Sequence, residues 1–189
     1  MSESSKMEVM LDLETLSTEN NAAIISIGAV KFDPRATVGE LNNSADKDYV
    51  HFYCNVEFHS LSCEEFHIEG RTVQWWMEQK EEARASLFTD PIDIQTALGK
   101  FWTWYGTESL PTWGNGAGFD NVILRNAYHK FGGVAPFDFY HDRCFRTLKS
   151  LFPDVLYVKP TLAHNALSDA EAQAIHLQKL FNFIHTGAL

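Results

Sequence analysis

The sequence is short of cysteine, of positive charge and of long apolar runs, and each shortage removes a class of protein. Its three cysteines, Cys54, Cys63 and Cys144, are too few and too scattered for a disulfide framework, and none stands in a paired zinc-type spacing. They read as free thiols of a reducing compartment. With 15 Lys and Arg against 25 Asp and Glu, the formal net charge is -10. That balance excludes a protein that coats nucleic acid by bulk electrostatics, so any such role must sit at a local site. No apolar stretch approaches the roughly 20 residues that cross a bilayer. The opening MSESSKMEV has neither the basic start nor the apolar middle of a secretory leader. The expectation is a soluble, cytoplasmic protein. Repeats, low-complexity tracts and linkers are also missing, which points to a single domain over residues 1–189 with a flexible N-terminus at 1–7.

What is present is apolar material: 45% hydrophobic and 13% aromatic residues supply a sizeable core. Glu8 to Leu13 reads as a strand and Ala22 to Asp33, rich in β-branched residues, as a second. Gly28 within it signals a bulge or a close backbone approach. Pro34 to Asp48 is polar and turn-rich, and Tyr49 to Val56 alternates like a third strand. Thr72 to Phe88 has helical character, with Thr72 as its cap and a break near Gln79. Asp93 to Tyr105 carries apolar residues at helical spacing. A strand at Leu110 to Trp113 follows. Phe119 to Phe131 is helical and closed by Gly132 and Gly133. Phe137 to His141 reads as a short strand, Phe145 to Phe152 as a short helix and Asn165 to Ile184 as a long final helix. Hairpin-connected strands followed by alternating helices and strands predict an α/β fold, a mixed sheet flanked by helices.

Three stretches carry chemistry. In EVMLDLETLS the alternation of a strand sends Asp12 and Glu14 to one face and Leu11 and Leu13 to the other. Two anions beside an apolar core repel and lose hydration unless a cation lies between them, although a solvated strand end would explain the pair as well. WGNGAGFDNVIL places Asp120 at a helix start directly after a glycine-rich turn, where helix capping is the ordinary role. AHNALSDAEAQA places His164 just before the last helix and Asp169 early within it, again compatible with capping and a surface histidine. Together these four acids lie at element ends, where loops gather at one edge of a sheet. They make an oxygen-only donor set suited to magnesium or manganese rather than zinc.

The motifs D-x-E at Asp12 and Glu14, N-x-x-x-F-D at Asn115 to Asp120 and H-x-x-x-x-D at His164 to Asp169 resemble, in order and spacing, the DEDDh exonucleases of the DnaQ-like superfamily. LDLETL, SIGAVKFD, TVQWWMEQ, WGNGAGFDNVIL and the RTL at Arg146 to Leu148 resemble further the branch that holds phage exonuclease A and bacterial exoribonuclease-like proteins. The likeness runs from about Glu8 to the final helix. It implies a ribonuclease H-like fold and two divalent cations, Mg2+ or Mn2+, roughly 3.5 to 4 Å apart on the scissile phosphodiester. It implies that Asp12 bridges both cations, that Glu14 and Asp169 complete the nucleophile side, and that Asp120 holds the second. His164 would be the general base, an imidazole with an ordinary pKa near 6.5. Thr15, Leu16, Asn115, Phe119 and Arg146 are the implied substrate contacts, with core packing an equal alternative for Leu16. The products would be nucleoside 5′-monophosphates released from a 3′ end.

The implied partner is the 3′ end of a nucleic acid, with single-stranded DNA slightly favoured over RNA by the phage likeness. Other readings are an oligonucleotide or nucleotide phosphohydrolase on the same site and a non-catalytic nucleic-acid-binding module. Related folds often pair, so a homodimer is among the expected states. Trp75 and Trp76 are adjacent and cannot share a helix face, so one belongs to the core and the other is left to stack on a base.

Overall fold

The computed structural model describes residues 7–41, 50–61, 66–160 and 162–187. Residues 1–6 of the expected flexible terminus, Cys63, and Tyr49 at the start of the third expected strand lie outside those residues. Five strands form one sheet: β1 (Glu8–Thr15), β2 (Ile24–Phe32), β3 (His51–Asn55), β4 (Thr112–Gly114) and β5 (Asp142–Cys144). Their order is β3-β2-β1-β4-β5. The β1–β2 and β2–β3 pairs are antiparallel, whereas β1–β4 and β4–β5 are parallel. This is the mixed sheet that the pattern of hairpins followed by helix-bearing crossovers requires.

Among the described residues six helices accompany it: α1 (Gly70–Met77), α2 (Glu81–Ser86), α3 (Ile94–Tyr105), α4 (Asp120–Lys130), α5 (Phe145–Leu151) and α6 (Ala166–Thr186). Alternation along β1 divides the core. Val9, Leu11 and Leu13 join Phe101 of α3 and Leu124 of α4 on one face. Met10 joins Phe145 of α5 and Ala170, Ala174 and Leu177 of α6 on the other. Asp12 and Glu14 share the α6 face with Met10. Among the described residues no helix is long and apolar enough to cross a membrane. Cys54 and Cys144 are free thiols.

Three expectations differ from what the chain does. Thr72 does not cap its helix: α1 begins two residues earlier, with Glu69 as the N-cap residue, and Thr72 Oγ1 donates to Glu69 Oε2 at 2.9 Å. The expected break near Gln79 separates α1 from α2. The strand expected at Phe137 to His141 is a 3-10 turn at Phe139–His141, started by Asp138, whose carboxylate accepts from Tyr140 N–H at 2.9 Å. The apolar alternation there reflects Phe137 buried in the core and Phe139 and Tyr140 exposed. The pairing strand lies just beyond, where the Asp142 carboxylate receives both Arg125 guanidinium nitrogens at 2.7 Å and Asn121 Nδ2 at 2.8 Å. The strand expected at Leu110 to Trp113 begins two residues later because Pro111 has no N–H to donate to a ladder.

Gly28 lies opposite Asp12 in the β1–β2 register. A Cβ there would overlap the backbone carbonyl of Ala166, so the first turn of α6 rests directly on the sheet. The close approach expected from this glycine therefore sets the position of the last helix.

Candidate active site

β1 stiffens the site first. Asp12 and Glu14, each under a tenth exposed, project from it toward α6, and their β2 partners are the small residues Gly28 and Ser26. β4 pairs with β1 only as far as Leu11, which leaves the next inward backbone N–H, that of Leu13, beyond the parallel ladder. Asp120, the first residue of α4, fills that place: its Oδ1 accepts from Leu13 N–H at 3.2 Å. Asp120 is therefore not a helix cap. The residue ahead of it, Phe119, has no side-chain capping bond. Gly114 makes the room, because a Cβ there would overlap Asn121 Oδ1 and stand 3.0 Å from Asp120 Oδ2.

The last helix brings the remainder. Asn165 caps α6 by accepting from Ser168 N–H at 3.1 Å. Asp169 Oδ2 accepts from the backbone N–H of His164 at 2.8 Å, which holds His164 at a left-handed φ of 63°. Single carboxylate oxygens of Asp12, Glu14 and Asp169 all lie within 4.8 Å of one another. Asp120 stands outside that trio and lines the same cleft, of about 390 Å³, together with Asn115, Phe119, Arg146 and His164.

Arg146 Nη2 donates to the Asn115 carbonyl at 2.7 Å and so braces the glycine turn ahead of α4. Thr15 and Leu16 are not among the cleft residues. Thr15 Oγ1 donates to the Ser17 carbonyl at 2.7 Å, and Leu16 faces an apolar groove with Phe58, Trp76 and Phe88. Trp76 links the two places, since its Nε1 donates to the Thr15 carbonyl at 2.9 Å.

Residues without a motif complete the cleft. Gln173 Nε2 donates to Asp12 Oδ1 at 2.8 Å, and Tyr157, Lys149 and Lys159 line the walls. Trp75 meets the His164 ring edge-to-face at 4.8 Å between centroids, while Trp76 is buried. A signal for Gln173 lay in its spacing, one helical turn after Asp169. Trp75 offered none beyond its adjacency to Trp76.

The electrostatics follow from burial. Glu14 is pushed up to about 8, first by desolvation and then by the charges of Asp169 and Asp120. Asp120 is pushed up to about 7 by desolvation, against the opposing hydrogen bond from Leu13. Asp12 is raised well above the carboxylate range by desolvation and by Asp120, Glu14 and Asp169, and Asp169 is raised chiefly by desolvation. Among the described residues no ion pair reaches any of the four. Asp120 Oδ2 is buried with no hydrogen-bond partner. Four crowded acids with an orphaned oxygen fit hard divalent cations, which favour the ionised forms and occupy the open lone pairs.

The mixed sheet, its flanking helices and an acid cluster gathered where β1, α4 and α6 meet define a protein of the DnaQ-like exonuclease fold. Residues 7–181 match the 3′-5′ exoribonuclease Rv2179c-like domain, and the chain belongs to that family. Over 126 residues it is 25% identical to the exodeoxyribonuclease of Enterobacteria phage T4, a stretch spanning 62% of this chain and 53% of the phage protein. The crystal structure of E. coli exonuclease I in complex with a dT13 oligonucleotide superposes with a TM-score of 0.61 at 15% identity, over 96% of this chain and 44% of that one. Cell-death related nuclease 4 superposes with a TM-score of 0.53 at 14% identity, over 94% and 64%. At such identities the solved structures speak for the fold. The chain spans about half the length of the phage relative and less than half of exonuclease I.

Proposed function

We propose that the chain is a metal-dependent 3′-to-5′ exonuclease that removes nucleoside 5′-monophosphates from single-stranded nucleic acid, with RNA as its principal substrate. The observation that carries this reading is the gathering of buried Asp12, Glu14 and Asp120 with half-buried Asp169 around one cleft, none with an ion-pair partner among the described residues. Asp12, Glu14, Asp120 and Asp169 would hold cations of the Mg2+ or Mn2+ kind, which would supply positive charge for hydrolysis of the phosphodiester. The choice of RNA rests on the family the chain belongs to.

The protein's own groups account for the remaining needs. His164, at the mouth of the cleft, takes the proton of the attacking water on its imidazole, and Trp75 limits the ring's swing. Arg146, Lys149 and Lys159 offer charge to substrate phosphates in a protein whose overall balance is acidic. Phe119 and Asn115 line the cleft with Asp120 and are placed to meet a terminal nucleotide, whereas Thr15 and Leu16 are not among the cleft residues.

A second reading, an exodeoxyribonuclease, is favoured by the phage relative. One assay separates the two. Single-stranded RNA and DNA oligomers labelled at the 5′ end are incubated with Mg2+ or Mn2+ and with wild type, Asp12→Asn and His164→Asn. Stepwise 3′ shortening of RNA, abolished by chelation and by either substitution, supports the proposal. Shortening of DNA alone supports the second reading, and tight binding without metal-dependent cleavage overturns both.

A further inference from the structure

We infer that Gln173 is a positioning residue for Asp12, holding that carboxylate in the orientation in which it receives divalent cations. The inference rests on the metal-dependent reading above and concerns a residue outside the acid and histidine motifs.

Gln173 is 2% exposed. Its Nε2 donates to Asp12 Oδ1 at 2.8 Å, whereas its Oε1 is buried with no partner. Buried amides normally satisfy both ends, so this one leaves its acceptor unpaired while its donor is committed to a carboxylate. Against an Asp12 ionised by a bound cation the reverse orientation would set amide oxygen against carboxylate oxygen, two acceptors, so the orientation in which Nε2 donates is the one compatible with the cation-holding form.

The geometry favours a brace over a packing accident. Gln173 follows Asp169 by four residues and shares its helix face. The helix that carries both is seated on Gly28, the β2 partner of Asp12. One rigid element therefore delivers the Asp169 carboxylate and the group that orients Asp12. A carboxylate has about four lone-pair sites, of which Gln173 occupies one, leaving the rest to face Glu14 and Asp169. Without the bond, repulsion from Glu14 and Asp120 would turn Asp12 away from the cluster. Outer partners of metal-binding carboxylates typically change metal affinity by about 10- to 100-fold when removed.

The test is a calorimetric titration of the full chain with Mn2+ for wild type, Asp12→Asn and Gln173→Met, a substitution of similar length that lacks the donor and the stranded oxygen. Gln173→Met is expected to melt, metal-free, no lower than wild type, to bind Mn2+ about tenfold or more weakly, and to lose turnover at low Mn2+ with an unchanged KM for the oligonucleotide. Excess Mn2+ should restore that turnover. A folded Gln173→Met with wild-type Mn2+ affinity overturns the inference and leaves the nuclease reading standing. A wild type that binds no Mn2+ overturns both. Should Gln173→Met fail to fold, the Gln173 side-chain amide of the wild type is followed by NMR during Mg2+ addition. A protected amide proton that shifts as the metal binds supports the brace, and one that exchanges freely or stays unshifted overturns it.

Discussion

The backbone N–H of Leu13, flanked on β1 by Asp12 and Glu14, donates to Asp120 Oδ1 at 3.2 Å. One bond between residues 107 positions apart pins the start of α4 to the strand that carries two of the acids, and it is made at the point where β4 stops pairing with β1. Asp120 therefore serves the fold through one oxygen, and its other oxygen is buried without a hydrogen-bond partner.

That division separates folding from activity at Asp120. Asp120→Asn retains an oxygen to accept from Leu13 and removes the buried charge. Exonuclease turnover should fall about 100-fold or more, because charge stabilisation by a held cation is worth several kcal/mol. The metal-free protein should melt at the wild-type temperature or a few degrees above it near pH 8. Thermal melts and single-turnover cleavage on the same preparation check both halves.

Stability should depend on pH with a definite sign. Glu14 and Asp120 are pushed up to about 8 and about 7, and Asp12 and Asp169 are also raised. The metal-free native state thus keeps protons that the unfolded chain releases near pH 4. Where the native state binds more protons, stability falls as pH rises. The contribution is full below the ordinary carboxyl range and is lost as pH climbs from about 4 to about 8. Added Mg2+ replaces those protons, so its stabilising effect should be larger near pH 8 than near pH 5, as melts with Mg2+ or chelator would measure.

At the cleft mouth, His164→Asn should lower turnover by about 100- to 10,000-fold, the usual range for a general base. Asparagine tolerates the left-handed backbone that Asp169 imposes at this position, so Mn2+ affinity and melting temperature should stay near wild type. Trp75→Leu, which frees the His164 ring, should cost on the order of 10- to 100-fold in turnover. A raised oligonucleotide KM with unchanged turnover in Trp75→Leu would instead assign Trp75 to substrate stacking.

Gly28→Ala should be among the most damaging single methyl additions. The new Cβ meets the Ala166 carbonyl group rather than a movable side chain, and overpacking of this kind costs about 3 kcal/mol or more. Gly99→Ala is the control, since it lies within α3 with nothing near the new methyl and should stabilise by about 1 kcal/mol. Urea unfolding of the two variants gives both numbers.

Legibility in the sequence follows the physics of each signal. Strand alternation placed Asp12 and Glu14 on one face, and three spaced motifs marked the acids that line one cleft, because carboxylates on an apolar framework stand out. Phe137 to His141 imitated a strand because its aromatics suggest one, although only Phe137 is buried and Phe139 and Tyr140 are exposed on the capped turn. Thr72 imitated a cap, but Glu69 takes the N-cap position and its side chain makes no capping bond. Gln173 signalled only through its spacing from Asp169, since a glutamine in mid-helix ordinarily faces water, and its burial depends on where α6 lands. Trp75 and His164 meet through a backbone bend that no local pattern encodes.

The seating of α6 on Gly28 also orders events in time. Asp12 and Glu14 are translated well before Asp169 and Gln173, which lie in α6. A chain still emerging from the ribosome therefore carries half an acid cluster and no partner helix to complete it. The acid cluster is complete only once residues 166–186 have left the exit tunnel and settled on the sheet.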